Sequence, residues 1–249
     1  MRPNKLRELL KADKPTLATH IHTTWPSVIE AIGHTGVYDY VEFVGEYGPY
    51  DLHDLDNMCR AAELHDMSMM IKVDQEPRGF LAQRAIGSGF HSILFADCRS
   101  AADVRECVRI VRPETPEDGG TYGVATRRFT YMGYGGTKEY VQALRDIVVV
   151  IMIEKPGTVD TLEDVLSVKG VDMVQWGGSD YSMGIGRAGE RYTPELRAIE
   201  RRVFETAIKI VPRARAWRFS SVTSRGAPAK TPVSAASSPR TALSIGTIS

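Results

Sequence analysis

Two carboxylates stand where acidic residues can bind a cation. Glu154 ends the apolar run Val148-Val149-Val150-Ile151-Met152-Ile153, and Asp180 lies in Trp176-Gly177-Gly178-Ser179-Asp180-Tyr181-Ser182. A carboxylate placed after such a run is costly to leave ionised without a compensating charge. Two of them on adjacent strand ends can share one divalent ion, and hard oxygen ligands suit Mg²⁺, Mn²⁺ or a related ion such as Co²⁺ better than structural zinc. Taken singly, each has a plainer explanation: Glu154 pairs with Lys155 or caps a helix, and Asp180 is an N-cap. Gly177 and Gly178 permit close backbone approach, and a helix starting near Asp180 would aim free N–H groups at a small carboxylate. A tight turn explains the same glycines.

These residues need a scaffold that collects strand ends. Short apolar runs at 16–22, 38–45, 68–74, 92–98, 147–154 and 172–178 read as strands. Most are continuously apolar instead of alternating, the pattern of a parallel sheet covered on both faces. Helices are expected at 27–32, 52–65, 79–87, 101–111, 138–144, 158–166 and 194–209, with Asp51 and Thr193 as N-caps. Six strand-then-helix units point to an α/β fold, a (β/α)8 TIM barrel, with a doubly wound open sheet as the alternative. Ionisable residues end nearly every strand (His20 and His22, Glu46, Lys72 and Asp74, Asp97, Glu154, Asp180), which favours the barrel because its chemistry gathers on one rim.

Composition narrows the function. The 249 residues carry 31 basic and 31 acidic side chains, so bulk charge does not point to nucleic acid or an acidic membrane. Three cysteines, Cys59, Cys98 and Cys107, lack metal-ligand spacing and fit free thiols in a reducing cytoplasm. Neither a long apolar span nor a signal-peptide core is visible, so a cytoplasmic protein away from the membrane is expected.

From about Asn4 to Lys209 the chain resembles the HpcH/HpaI aldolase family. The resemblance rests on Gly45-Glu46-Tyr47-Gly48-Pro49, Ile71-Lys72-Val73, Gly119-Gly120-Thr121-Tyr122-Gly123, Ile153-Glu154 and Gly177–Ser182. It implies a (β/α)8 barrel, usually hexameric with an exchanged final helix. It also implies a divalent-metal-dependent carbon–carbon lyase that joins or separates pyruvate, or another 2-oxo acid, and an aldehyde through an enolate. Carried over by residue, Glu154 and Asp180 are metal ligands, and Glu46 orients a bound water. The amides of Gly178, Ser179 and Asp180 grip the substrate carboxylate.

Several positions depart from that pattern. Tyr47 and Gly87 replace the histidine and aspartate of the family's base dyad, Lys72 replaces an arginine, and Val44 stands where an acid is common. A tyrosine of ordinary pKa, near 10, is a poor base at neutral pH. Replacement bases are His20 and His22, only one of which is expected to face the barrel interior. Tyr47 can donate a hydrogen bond to substrate, and Lys72 can polarise an oxyanion or, less in keeping with the carboxylates, form a Schiff base. Arg127 and Arg128 reach a distal substrate carboxylate or are solvated loop charges. Alternatives to the aldolase are a 2-oxo acid decarboxylase, an acyl-CoA ester lyase, and a barrel that only binds ligand.

The last part reads differently. From Thr206 onward there are seven basic residues and no acidic one, leaving 24 basic against 31 acidic before it. The expected division is a barrel domain over 1–217 and a Ser/Ala/Pro-rich tail over 218–249, whose sudden loss of acids suggests a changed reading frame. Residues 210–214 and 242–247 are the candidate seventh and eighth strands, so the barrel is expected to be irregular in its C-terminal quarter.

Overall fold

The computed structural model describes residues 2–124 and 131–211, and the backbone of 216–217, 219–220 and 244–245. Seven parallel strands form one sheet in sequential order: β1 (Ala18–Ile21), β2 (Tyr40–Val44), β3 (Ser68–Val73), β4 (Ser92–Phe95), β5 (Val148–Ile153), β6 (Met173–Trp176) and β7 (Ala216–Trp217). Helices α1 (Lys5–Lys11), α2 (Pro26–His34), α3 (Leu52–Glu63), α4 (Arg78–Ser88) and α5 (Ala101–Val111) are followed by α6 (Lys138–Arg145), α7 (Pro156–Asp160), α8 (Leu162–Leu166), α9 (Gly178–Gly184) and α10 (Pro194–Ile210).

Strand periodicity divides the core in two. Ala18, Tyr40, Met70, Leu94, Val148, Val150, Met152 and Met173 join Leu6 and Leu10 of α1 in an inner cluster. Their sequence neighbours, among them Val41, Phe43, Ile71, Ile93, Val149, Ile151 and Val174, pack outward against the helices. Glu42 on β2 and Gln175 on β6 approach to 3.5 Å. Across a flat sheet those strands would lie about 19 Å apart, so the sheet curls and brings its inner faces together. The fold is thus a parallel, TIM-barrel-like α/β architecture. Among the described residues no ladder closes β7 onto β1.

Local signals explain most boundaries. Asp51 and Asp54 form a capping box on α3, Ser100 and Asp103 another on α5, and Pro26 starts α2. Thr193 precedes α10 but makes no capping bond, and the Glu195 carboxylate takes its own first-turn amide instead. The helix expected over 158–166 is two helices broken at Thr161, whose hydroxyl bonds back to the Gly157 carbonyl at 2.8 Å. The expected seventh strand starts too early: Ile210 still belongs to α10, and β7 begins at Ala216. The expected eighth strand is β9 (Ser244–Ile245), which pairs with β8 (Phe219–Ser220) instead of extending the main sheet. Most of the region read as a tail, together with Arg127 and Arg128, lies outside the described residues. No described helix is long and apolar enough to cross a membrane.

Helix α1 plugs the N-terminal end of the sheet. Arg7 donates to both oxygens of Asp172 and to the Asp146 and Ile147 carbonyls, while Asp172 also accepts the Val149 amide at 2.9 Å. Removing one partner of a mostly buried pair strands the other charge. Asp172→Ala is therefore expected to lower stability by about 3 kcal/mol in urea unfolding.

Candidate functional site

The opposite end, where the strands run out, holds the singled-out residues. Its cavity of about 310 Å³ is lined by His20, Lys72, Glu154 and the Gly177–Asp180 segment, with Met152 and Trp176 as apolar walls. Arg191, Tyr192, Arg197 and Glu200 form the mouth. Both guanidiniums stack on the Tyr192 ring, at 4.5 and 4.8 Å, and Arg191 donates to Ser179 Oγ at 2.8 Å. A larger hollow of about 840 Å³ lies at the other end between α1 and α6. Its lining includes none of these residues, and Arg7 and Lys11 there are already paired with acids.

The inner-face periodicity carries Glu154 inward as the next residue after Met152. Its side chain is buried, and Oε1 accepts the Asp97 amide at 2.8 Å. Among the described residues Glu154 has no ion pair; burial pushes its carboxyl up to about 7, against the Asp97 amide and the charges of Lys72 and Lys155. Asp180 lies in the first turn of α9, facing Lys155 at 3.6 Å, and Lys155 also holds Asp97 at 2.5 Å. Thus Glu46 pairs with Lys72, Asp97 and Asp180 share Lys155, and Glu154 makes a contact ion pair with neither ammonium.

This donor set fits a divalent cation. A buried, unpaired carboxylate and a second one lining the same cavity leave negative charge uncompensated, and both are hard oxygen donors. No group of three or more His, Cys, Asp or Glu able to hold a metal occurs among the described residues. The protein ligands would be Glu154 and Asp180, with water and substrate completing the shell.

Gly177 is needed where it stands. A Cβ there would meet Glu154 Cβ at 2.5 Å and Oε2 at 2.6 Å. Gly177→Ala is expected to displace the carboxylate and weaken Mn²⁺ binding roughly tenfold, read by electron paramagnetic resonance. Helix α9 begins at once: its first internal bond runs from the Tyr181 amide to the Gly177 carbonyl, leaving the amides of Gly178, Ser179 and Asp180 without acceptors inside the helix.

Lys72 forms an ion pair with Glu46 and lies 3.4 Å from Tyr47 Oη and 4.8 Å from that ring's centre. Burial pulls its ammonium down, but the Glu46 bond and the charges of Glu46 and Glu154 outweigh this and hold it above the lysine range. That is unlike a Schiff-base nucleophile, which needs a lowered pKa. Tyr47 is mostly exposed and its hydroxyl is raised above ordinary, chiefly by desolvation, so it is no base.

The expectation that His20 and His22 point opposite ways is wrong. Residues two apart share a side of a strand, and the two rings meet edge to face at 5.4 Å. The cavity nonetheless separates them: His20 lines it, while His22 stacks on Tyr47 at 6.4 Å. Burial, then the positive potentials of His22 and Lys72, lowers the His20 pKa, favouring a neutral imidazole. Gly87 lies in the last turn of α4, whose direction puts it at the far end of the sheet from Tyr47. Glu42, Asp97 and the mouth residues Arg191, Tyr192 and Arg197 went unassigned in the sequence. Glu42 carried a signal, an acid in the middle of an apolar five-residue strand.

The sequence profile of the HpcH/HpaI aldolase/citrate lyase family matches residues 19–215. No curated protein sequence matches the chain at a significant level. The structure resembles an HpcH/HpaI aldolase from Desulfitobacterium hafniense DCB-2 (22% identity, TM-score 0.77, covering 88% of this chain and 84% of that one). It also resembles an HpcH/HpaI aldolase/citrate lyase family protein from Burkholderia cenocepacia J2315 (25%, TM-score 0.76, covering 86% and 83%). Citrate synthase SbnG shares the fold at 19% identity (TM-score 0.72, covering 88% and 83%). With the profile spanning most of its length, the chain belongs to the HpcH/HpaI aldolase/citrate lyase family, a superfamily of lyases and related enzymes.

Proposed function

We propose that the protein is a divalent-metal-dependent carbon–carbon lyase that makes or breaks an aldol bond between pyruvate, or another 2-oxo acid, and an aldehyde. The observation that carries this reading is the buried, unpaired Glu154 carboxylate facing the same cavity as Asp180. Held by these two side chains, Mg²⁺ or Mn²⁺ would supply Lewis-acid polarisation of the substrate's carbonyl. The free amides of Gly178, Ser179 and Asp180 orient the substrate carboxylate. Lys72, fixed by Glu46, faces the oxygen on which negative charge collects and stabilises it. His20 takes the C3 proton on its imidazole nitrogen and returns it in the reverse direction. Met152 and Trp176 restrict water at the reacting carbon.

The missing family dyad favours a second reading, decarboxylation of an oxaloacetate-like acid, which needs the same polarised carbonyl but no base. Incubation with pyruvate in deuterium oxide separates the two. The aldolase exchanges the methyl protons, and His20→Ala is expected to slow exchange about 100-fold. A decarboxylase consumes oxaloacetate at a rate insensitive to that substitution. Oligomeric assembly, by a hexamer or otherwise, is a further expectation that sedimentation can check.

A further inference from the structure

Outside the cavity, three buried side chains form a cluster that the proposed chemistry leaves unused. Cys98 follows β4 and Cys107 lies on α5; both are fully buried, with their sulfurs 3.7 Å apart. Arg78, only 7% exposed, donates from Nη1 to Cys107 Sγ at 3.3 Å and from Nη2 to the Ala96 carbonyl at 3.3 Å, while its Nε has no hydrogen-bond partner among the described residues. The acid on which Arg78 acts, Glu106, is already bonded to Arg109. A buried guanidinium resting on a thiol favours the sulfur's anionic form. The contact with Cys98 and burial outweigh it and push Cys107 above the cysteine range, so Cys107 rests as a thiol.

The cluster adjoins the site through one residue. Asp97 precedes Cys98 at φ +57°, a left-handed conformation costly for a non-glycine residue, and its amide holds Glu154 Oε1. The Cys98 carbonyl accepts from Thr158 Oγ1 on α7.

We propose that Cys98 and Cys107 are a peroxide-oxidisable pair, and that closing their disulfide draws the Asp97 amide away from Glu154. When the pair opens to solvent and the Cys107 thiol loses its proton beside the Arg78 guanidinium, its sulfur attacks hydrogen peroxide, the O–O bond breaks, and a sulfenic acid and water form. Cys98 sulfur then attacks the sulfenic sulfur and expels a second water. The two sulfurs together lose two electrons to one peroxide, and both thiol protons end in water. The sulfurs must close from 3.7 Å to about 2.05 Å. Because Cys107 is fixed within a helix, the displacement falls on the Asp97–Cys98 segment. The effect on Glu154 bears on metal binding only if the proposed function holds; the disulfide stands independently of it.

The test treats the reduced, metal-free full chain with hydrogen peroxide at about pH 8.5, where thiols ionise more readily. Alkylation and peptide mapping follow. A Cys98–Cys107 cross-linked peptide lacking two hydrogens is expected, with Cys59 alkylated. Oxidation should weaken Mn²⁺ binding about tenfold, dithiothreitol should restore it, and Cys107→Ser should respond in neither measurement. If both thiols stay alkylatable at a peroxide dose that converts methionine to its sulfoxide, the disulfide proposal is overturned. A cross-link that leaves Mn²⁺ affinity unchanged overturns the coupling to Glu154. Reduced protein that binds no Mn²⁺ counts against the functional reading, and the cross-link map still decides the disulfide. Should Cys107→Ser fail to fold by circular dichroism, the wild-type map and its reversal by dithiothreitol decide.

Discussion

Glu154→Gln is expected to lower deuterium exchange into pyruvate by roughly 10³-fold while the protein stays folded. The amide keeps the shape and can still accept the Asp97 N–H through its oxygen, so the loop after β4 remains anchored. What disappears is the negative charge. With Asp180 then the sole carboxylate ligand, and Lys155 already 3.6 Å from it, little attraction for a divalent cation remains. The substitution also relieves a buried carboxyl whose ionisation burial resists, so stability should be unchanged or higher. Loss of exchange with a raised unfolding midpoint is the expected combination. Loss of exchange with a lowered midpoint would instead mark Glu154 as a structural residue.

The second large effect concerns Glu42, inside the curled sheet and 2% exposed. Burial pushes its carboxyl up to about 7, with Lys72 and the Gln175 contact pulling the other way. Protonated, it can donate to Gln175, whose Oε1 has no hydrogen-bond partner among the described residues. The folded protein therefore holds this proton more tightly than the unfolded chain does. Between the ordinary glutamate value of 4.5 and about 7, unfolding releases the proton, so stability falls as pH rises and levels off above that window. The shift corresponds to about 3 kcal/mol. Glu42→Gln should leave stability near pH 4 almost unchanged, raise it by up to about 3 kcal/mol near pH 8, and remove Glu42's share of the slope between, leaving that of Glu154, whose carboxyl is raised into the same window. Denaturant unfolding across that range measures it. An unchanged slope would show that Glu42 is ionised with a partner throughout.

How much of this was legible follows from the physics of each signal. Mostly apolar runs locate six strands to within a few residues, because both sheet faces are covered and few polar residues, such as Glu42, Lys72 and Gln175, interrupt them. Asp51 is a readable cap because its chemistry is local, whereas Thr193 occupies the same position without capping, since the Glu195 carboxylate takes its own first-turn amide. The strand-end acids Glu154 and Asp180 stand out by type and place. Their companions do not: Lys155 bridging Asp97 and Asp180, and the Asp97 amide on Glu154, are contacts between loops far apart in sequence. The choice between His20 and His22 depends on where β1 ends and on the Tyr47 ring, which alternation along one strand does not encode. Glu42 was readable as an anomaly, but its meeting with Gln175 exists only because the sheet curls.

The proposed chemistry requires a divalent cation, held by Glu154 and Asp180, that activates a 2-oxo acid for loss of a C3 proton. Deuterium exchange into pyruvate by the wild-type protein, before chelation, after chelation and after Mn²⁺ is returned, tests it most directly. Exchange should collapse with the chelator and return with the metal. Exchange that continues undiminished in thoroughly chelated protein would contradict it.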